Sequence, residues 1–152
     1  MNQRFHKLQL QQMDAVLSQW RAARLPARPT SGWSRAIRGA LGMTATALAG
    51  KLRMTSAGVH KLESSESNDA ITLASLRKLA SALDCELQYA LVPRTTLAQQ
   101  LQNRALQVAS ARLRPVAHSM ALEDQSVEGS ASYVQRELMV QELLDGSRRE
   151  LW

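Results

Sequence analysis

The sequence predicts an all-α protein, and three observations on its 152 residues support this. The chain is 45% hydrophobic but only 4% aromatic, so Leu and Ala supply most of its apolar surface. That composition is typical of helical proteins and fits a β-sandwich or barrel poorly. Apolar residues recur at helical spacing along most of the chain, and only one short segment shows the alternation of a strand.

An amphipathic N-terminal helix is predicted over roughly residues 2–24. Its apolar residues recur at spacings of three and four, which places them on one face. These residues are Leu10, Met13, Leu17 and Trp20. Pro26, Pro29 and Gly32 then indicate a loop. Packing or dimerisation is the expected use of this helix.

Four short helices are predicted in residues 33–84. Hydroxyl side chains that can accept a hydrogen bond from a helix N-terminus precede three of them. The predicted caps are Ser31 or Ser34 for the first helix, Thr44 for the second and Thr72 for the fourth. The first helix is expected to stop at Gly42, and the third follows a short turn at residues 53–55.

Residues 85–93 predict one short strand, at about 86–92. Cys85, Leu87, Tyr89 and Leu91 lie on one face of this strand, and Pro93 ends the run. The residues between them are Glu86, Gln88, Ala90 and Val92. A lone strand leaves backbone groups unpaired, so we expect the same segment of a second copy to pair with it in a homodimer. The alternative is a helix that continues past Asp84, with Leu87 and Leu91 one turn apart.

A helical extension is predicted for the C-terminal part of the chain. Leu97, Leu101, Ala105 and Val108 form one apolar stripe. Pro115 is expected to interrupt this helix, and a last helix is predicted from about 131 to 144. The predicted organisation is therefore an N-terminal helix and linker at 1–30, a helical bundle at 31–84, a dimerisation strand at 85–93, and a helical region at 94–152.

Positive charge is concentrated in the first third of the chain. Residues 1–53 contain nine Lys or Arg and one acid, whereas residues 93–152 contain seven of each. This asymmetry favours a polyanionic partner such as nucleic acid, with a basic face kept for solubility as the alternative. The single cysteine, Cys85, excludes a disulfide framework. No metal-ligand spacing, cofactor loop, catalytic motif, secretory signal or membrane span is recognisable, so we expect a cytoplasmic protein that is not an enzyme.

The most informative stretch is residues 43–66. It predicts two short helices joined by a tight turn, with the small residue Ala49 inside the first helix. Val59 and Leu62 supply the facing apolar contact from the second helix. This is a helix-turn-helix arrangement, whose second helix fits the major groove of DNA.

The same stretch resembles the Xre/Cro-like repressor domain. The residues in register with that pattern are Thr44, Leu48, Ala49, Val59, Leu62 and Glu63. Ala45 stands where the family usually has a phosphate-binding Gln, and Arg53 replaces the Gly of the turn, so Arg53 is expected to adopt a left-handed backbone. Blocks such as WSRAIRGALGMT, LDCELQYALVP and the final RRELW make the chain similar, over about residues 8–152, to the mobile mystery protein A family.

The Xre/Cro-like resemblance implies a set of DNA contacts. Lys61, Ser56 and Ala57 are expected to reach base edges, and His60 a base or a phosphate. Thr44, Thr55, Ser64 and Asn68 are expected at phosphates, with Arg35 and Arg38 as further phosphate candidates. The alternative for Lys61, His60, Arg35 and Arg38 is that they only form a solvated helix face. A two-fold homodimer would read a palindromic operator in double-stranded DNA.

The wider resemblance implies a regulator in a two-gene module with a Fic-domain protein partner. The chain would then be an antitoxin-like autorepressor, with its strand paired as in HipB-like dimers. Residues 119–124 are similar to the inhibitory motif of Fic proteins, which makes Ser119 and Glu123 candidates for partner inhibition. In the alternative function, the chain is a protein-binding inhibitor of a Fic-type AMP-transferase, and the helix-turn-helix is only a scaffold.

Overall fold

The structure, a computed structural model, describes residues 2–122 and 129–152, and all regular structure within them is helical. The all-α class is thus confirmed for this part of the chain. The elements are α1 (Gln3–Ala23), α2 (Trp33–Ala40), α3 (Ala45–Leu52), α4 (Ser56–Ser67), α5 (Leu73–Ala82), α6 (Leu97–Leu122), α7 (Gly129–Asp145) and a final 3₁₀ helix (Arg148–Leu151).

The chain forms two compact units. Residues 25–90 make one, which we call the central unit, and residues 1–24 with 91–152 make the other, which we call the terminal unit. Each has its own core of buried apolar residues. The N-terminal helix α1 therefore packs with the C-terminal helices of its own chain.

The core of the central unit lies where α3, α4 and α5 meet. The buried residues are Leu48, Ala49, Val59, Leu79 and Leu83. Ala49 is only 2% exposed, and its small side chain lets α3 and α4 approach closely. The two helices are therefore held as the rigid pair that a helix-turn-helix requires.

Threonine caps start three helices of the central unit. Thr44, Thr55 and Thr72 each accept a hydrogen bond from the backbone N–H three residues on, at 3.1 Å. The caps predicted at Thr44 and Thr72 are confirmed. The cap predicted for α2 is wrong, because its N-cap is Gly32 and its Ser34 lies inside the helix.

Left-handed residues end the helices of the central unit. Arg53 has φ +54° and ψ +48°, as expected from its position in the turn between α3 and α4. Gly42, at φ +65°, follows α2 as predicted. Asp84, at φ +54°, ends α5, and the Cys85 N–H donates to Ala80 O at 2.8 Å. The alternative of a helix that continues past Asp84 is therefore wrong.

The predicted strand is not found in the described residues of the single chain. Residues 85–93 form neither helix nor strand. In this part of the structure no backbone amide of 86–92 donates a hydrogen bond. Tyr89 is 58% exposed and Leu91 is 90% exposed. A strand requires a second row of backbone groups, which residues 2–122 and 129–152 of one chain do not supply, so the dimer pairing stays a prediction.

The terminal unit is built on α6, which contacts both α1 and α7. Its buried core consists of Leu101, Ala105, Ala109, Val140, Leu143 and Leu151. The Asp14 carboxylate of α1 accepts hydrogen bonds from Leu97 N–H at 2.6 Å and Ala98 N–H at 3.0 Å. The acidic side chain of α1 thus caps the N-terminus of α6, a helix distant in sequence.

Helix α6 continues through Pro115, so the predicted interruption is wrong. Proline removes one hydrogen bond to the carbonyl four residues earlier, that of Ala111. Both residues are exposed, so water can satisfy that carbonyl. Helix α7 spans the region in which the last helix was predicted.

Candidate nucleic-acid interface

Helix α4 has one exposed polar face. The residues predicted to contact bases all lie on it and are exposed: Ser56, Ala57, His60 and Lys61. The predicted phosphate contacts Arg35, Thr44, Thr55, Ser64 and Asn68 are also exposed. The structure therefore brings nine of the ten predicted residues to the surface of the central unit.

The opposite face of α4 is buried and carries two acids. Val59 is fully buried, Glu63 is 3% exposed and Glu66 is 2% exposed. A carboxylate is costly to remove from water unless it is paired and hydrogen-bonded. The partners of these two acids therefore decide how α4 is held.

Arg38 of α2 is the partner of Glu63. Its guanidinium donates to the Glu63 carboxylate through Nε at 2.6 Å and Nη2 at 3.1 Å, and to the carbonyl of Met43 at 3.0 Å. Its side chain is 14% exposed. The hydrogen bond to Glu63 raises the pKa of Arg38 above its ordinary value, so its charge is retained.

This geometry gives Arg38 a different role from the one its sequence position suggested. Sequence reasoning grouped it with Arg35 as a phosphate contact, because both are cations on the same short helix. In the structure its donors are directed to Glu63 and Met43, and it joins α2 to α4. Arg38 is therefore omitted from the set of DNA contacts proposed below.

Glu66 caps the N-terminus of α2. Its carboxylate accepts hydrogen bonds from the N–H groups of Trp33 at 2.7 Å and Ser34 at 3.1 Å, and from the Ser34 hydroxyl. Gly32 precedes them at φ +86°, and a Cβ there would lie 2.9 Å from Glu66 Oε2. Glycine is required at this position by both its backbone conformation and its close approach to the carboxylate.

Arg28, in the linker before α2, binds the C-terminal end of α4. Its guanidinium donates to the carbonyls of Glu66 and Ser67 and forms an ion pair with Asp69 at 3.0 Å. A cation at the last carbonyls of a helix is favourable for the helix dipole. The structural roles of Arg28, Gly32 and Glu66 were not predicted from the sequence. The one available signal was the position of Glu63 and Glu66 on the apolar side of α4, which indicates that both carboxylates are buried and need partners.

Thr44 and Thr55 place hydroxyl groups at the N-termini of α3 and α4. Each hydroxyl oxygen accepts a backbone N–H of its own helix and keeps its proton for another acceptor. Helix N-termini favour anions, because their first N–H groups lack intrahelical partners. These two positions have the chemistry of phosphate contacts.

Two of the three predicted dimerisation residues, Leu87 and Tyr89, line a groove of the central unit. The groove has a volume of about 650 Å³ and is lined mainly by apolar side chains, among them Trp33, Ile37 and Leu87. Tyr89 also lines it, with the Arg77 guanidinium 5.8 Å from its ring centre. Leu91 is exposed. The segment thus offers apolar side chains and unpaired amides together.

The residues predicted to inhibit a partner are not defined by the structure. Glu123 lies outside the described residues. Ser119 is a residue of α6, and the structure describes its backbone but not its side chain.

Comparison with known proteins supports the class of the central unit. Residues 35–89 match the family model HTH_3, described as helix-turn-helix, which is the Xre/Cro-like type. This match indicates a DNA-binding transcription regulator. No curated protein and no solved structure matches the chain.

Two further findings concern the described residues only. Within 2–122 and 129–152, no helix has the length and apolar character needed to cross a membrane. In the same ranges, no group of three His, Cys, Asp or Glu side chains is arranged to hold a metal ion.

Replacement of Gly32 by Ala should destabilise the central unit. At φ +86° and ψ +160° the backbone lies in a region that costs a residue with a Cβ ~1–3 kcal/mol, and contact with Glu66 adds to this cost. Gly39→Ala is the matched control, because a Cβ there meets no atom within 4 Å and alanine is favoured over glycine in a helix by about 1 kcal/mol. The free energy of unfolding is measured in urea by Trp33 fluorescence, in a Trp20→Phe, Trp152→Phe background. It should fall for Gly32→Ala and rise for Gly39→Ala. Equal effects would contradict the proposed cap.

Loss of either partner of the Arg38–Glu63 pair should destabilise the central unit by ~3–5 kcal/mol, because the other charge stays buried without compensation. The double variant Arg38→Met, Glu63→Leu should recover most of this loss. The measurement is the free energy of unfolding for the two single variants and the double variant. Additive effects would show that the two side chains do not act as a pair.

Proposed function

We propose that this protein is a sequence-specific double-stranded DNA-binding transcriptional regulator that represses its own promoter. The observation that carries the proposal is the division of α4 into two faces. Glu63 and Glu66 fix its inner face to α2, while His60 and Lys61 on its outer face are exposed. A helix held in this way can present side chains to base edges in a fixed register.

Lys61 is the proposed main base contact. Its ammonium group can donate to O6 and N7 of guanine, and the Ser56 hydroxyl can donate to or accept from any base edge. The Ala57 methyl can contact a thymine methyl. His60 lies one position before Lys61 and serves either a base or a phosphate. The shared exposed face of α4 supports placing these residues in one groove.

Phosphate contacts are proposed at both ends of the helix-turn-helix. Thr44 and Thr55 would donate their hydroxyl protons to the backbone near the N-termini of α3 and α4. The remaining proposed contacts are Arg35, Ser64 and Asn68. Such contacts position the protein on the duplex without reading its sequence.

A homodimer is proposed to pair residues 86–92 of two copies. Support comes from the backbone amides of this segment, which make no hydrogen bond in the described chain, and from the exposed side chains of Tyr89 and Leu91. Pairing would satisfy the amides and bury the side chains together with Leu87. The two-fold symmetry would then match a palindromic operator with half-sites one helical turn apart.

An antitoxin-like role with a Fic-domain partner is proposed on the resemblance to the mobile mystery protein A family. The second candidate function, inhibition of that partner with the helix-turn-helix as scaffold, is favoured by one observation. The terminal unit has a buried core of its own, and this is more structure than DNA binding requires. Ser119 and Glu123 remain the residues proposed for this role.

The central experiment compares the DNA upstream of this gene with a shuffled duplex of the same composition. Fluorescence anisotropy at ~0.15 M salt should show a preference of ~10³ or more for the native duplex. Lys61→Ala should reduce specific affinity by ~1–3 kcal/mol and relax the preference at one base pair. Lys78→Ala, which removes an exposed cation from α5, is the control and should preserve the preference.

Equal, weak binding to both duplexes would contradict the autorepressor. If the chain then binds a Fic-domain protein tightly through residues 95–152, the scaffold alternative takes its place.

Dimerisation is tested by Leu91→Glu. Because Leu91 is 90% exposed in the single chain, the change should leave the fold intact and act only on the pairing. We expect it to raise the dimer Kd at least about tenfold, the effect of ~1.4 kcal/mol. Sedimentation equilibrium measures the Kd, and Leu25→Glu, at another exposed leucine, should leave it unchanged. A wild-type protein that is monomeric at all concentrations would refute the dimer.

A further inference from the structure

A second polar feature lies beside the exposed face of α4. It is a cleft of about 300 Å³ within the central unit, formed by the loop before α2, by α2 and by α4. Its lining residues are Thr30, Ser31, Arg35, His60, Glu63, Ser64 and Ser67. No apolar side chain lines it, so the cleft suits a polar or charged group.

Several donors in this cleft have no partner in the described residues. The Arg35 guanidinium makes no ion pair and no hydrogen bond there, although Arg38 on the same helix makes three. The hydroxyls of Ser31 and Ser64 are also without a hydrogen bond in this part of the structure. The Ser67 hydroxyl, in contrast, already donates to the carbonyl of Ser64 at 2.9 Å.

The charge of the cleft is positive in spite of Glu63. That carboxylate is 3% exposed and both of its oxygens accept hydrogen bonds from Arg38, so its charge is matched within the protein. His60 Nδ1 lies 3.7 Å from the same carboxylate. Arg35 therefore remains as an uncompensated cation in a setting of hydroxyl donors.

We propose that this cleft binds one phosphodiester group of the DNA backbone, with Arg35 as the charged donor and Ser31 and Ser64 as neutral donors. The chemistry is that of phosphate recognition, in which guanidinium and hydroxyl groups donate to the same anion. The proposal rests on the DNA-binding function above and adds to it the Thr30–Ser31 loop, which sequence reasoning did not include. The contact positions α4 and carries no sequence information.

The first test measures affinity and its salt dependence for the native and the shuffled duplex. Arg35→Ala should weaken binding to both by the same factor, roughly tenfold, and reduce the slope of log K against log salt by ~0.9, the value for one phosphate. Ser31→Ala should weaken both equally but leave the slope unchanged, since it removes no charge. Lys78→Ala is the control for a lost cation and should change neither quantity.

A neutral methylphosphonate, placed at one backbone position at a time, locates the phosphate. At one position in each half-site it should weaken the wild-type protein and leave Arg35→Ala unaffected. If no position distinguishes the two proteins, or if Arg35→Ala leaves the slope unchanged, the cleft does not bind the DNA backbone and the proposal is wrong.

Free phosphate is the competing occupant. Titration calorimetry with inorganic phosphate tests it in the absence of DNA. If inorganic phosphate binds the wild-type protein, Arg35→Ala abolishes that binding, and DNA affinity is unchanged in the variant, then the cleft serves a small anion and the proposal is overturned.

Failure of the autorepressor and failure of the cleft give different results. Equal binding to the native and shuffled duplexes contradicts the autorepressor alone, because the effect of Arg35→Ala on the slope can still be measured with the shuffled duplex. A protein that binds neither duplex refutes both. Circular dichroism should show an unchanged fold for Arg35→Ala, since this side chain makes no hydrogen bond or ion pair in the described residues.

Discussion

Burial of two carboxylates on one helix is the constraint on which the central unit depends. Glu63 and Glu66 lie one turn apart on the inner face of α4, and each would cost several kcal/mol if it were left without a partner. Both find partners on α2: Glu66 accepts the backbone N–H groups at its N-terminus, and Glu63 accepts Arg38 near its C-terminus. Two attachment points fix both the position and the direction of α2 relative to α4. The surface next to α4, including Arg35, is defined as a consequence.

The same arrangement changes the electrostatic character of the exposed surface of α4. Residues 54–92 contain five acids and three Lys or Arg, which by count is a negative segment. Two of the five acids, Glu63 and Glu66, are buried and matched by Arg38 and by helix N–H groups. The exposed part of α4 keeps Lys61 and His60. Its surface is therefore more favourable to a polyanion than the residue count indicates.

Local sequence signals predicted the parts of the structure that depend on neighbouring residues. Helical periodicity and the threonine caps at Thr44 and Thr72 are short-range effects, whereas the left-handed Arg53 was expected from the resemblance to the Xre/Cro-like pattern. The cap of α2 could not be predicted in this way, because its acceptor, Glu66, lies more than thirty residues along the chain. The inward direction of Arg38 could not be predicted either, because its partner Glu63 lies 25 residues further along the chain. The nine other predicted contact residues are exposed. The strand expected at 86–92 does not form in the described residues, because a strand needs a partner segment that this part of the chain does not supply.

The Glu66 network also determines where an autonomous fragment of this protein would have to begin. The helix-turn-helix match starts at residue 35, but the groups that compensate Glu66 are the N–H groups of Trp33 and Ser34. A fragment cut at the match boundary would keep the buried acid and lose both amides, together with Arg28 at the end of α4. A stable fragment would therefore have to begin upstream of Arg28, whose guanidinium binds the end of α4. Some of the groups that stabilise the helix-turn-helix domain therefore lie upstream of the segment that matches the family model.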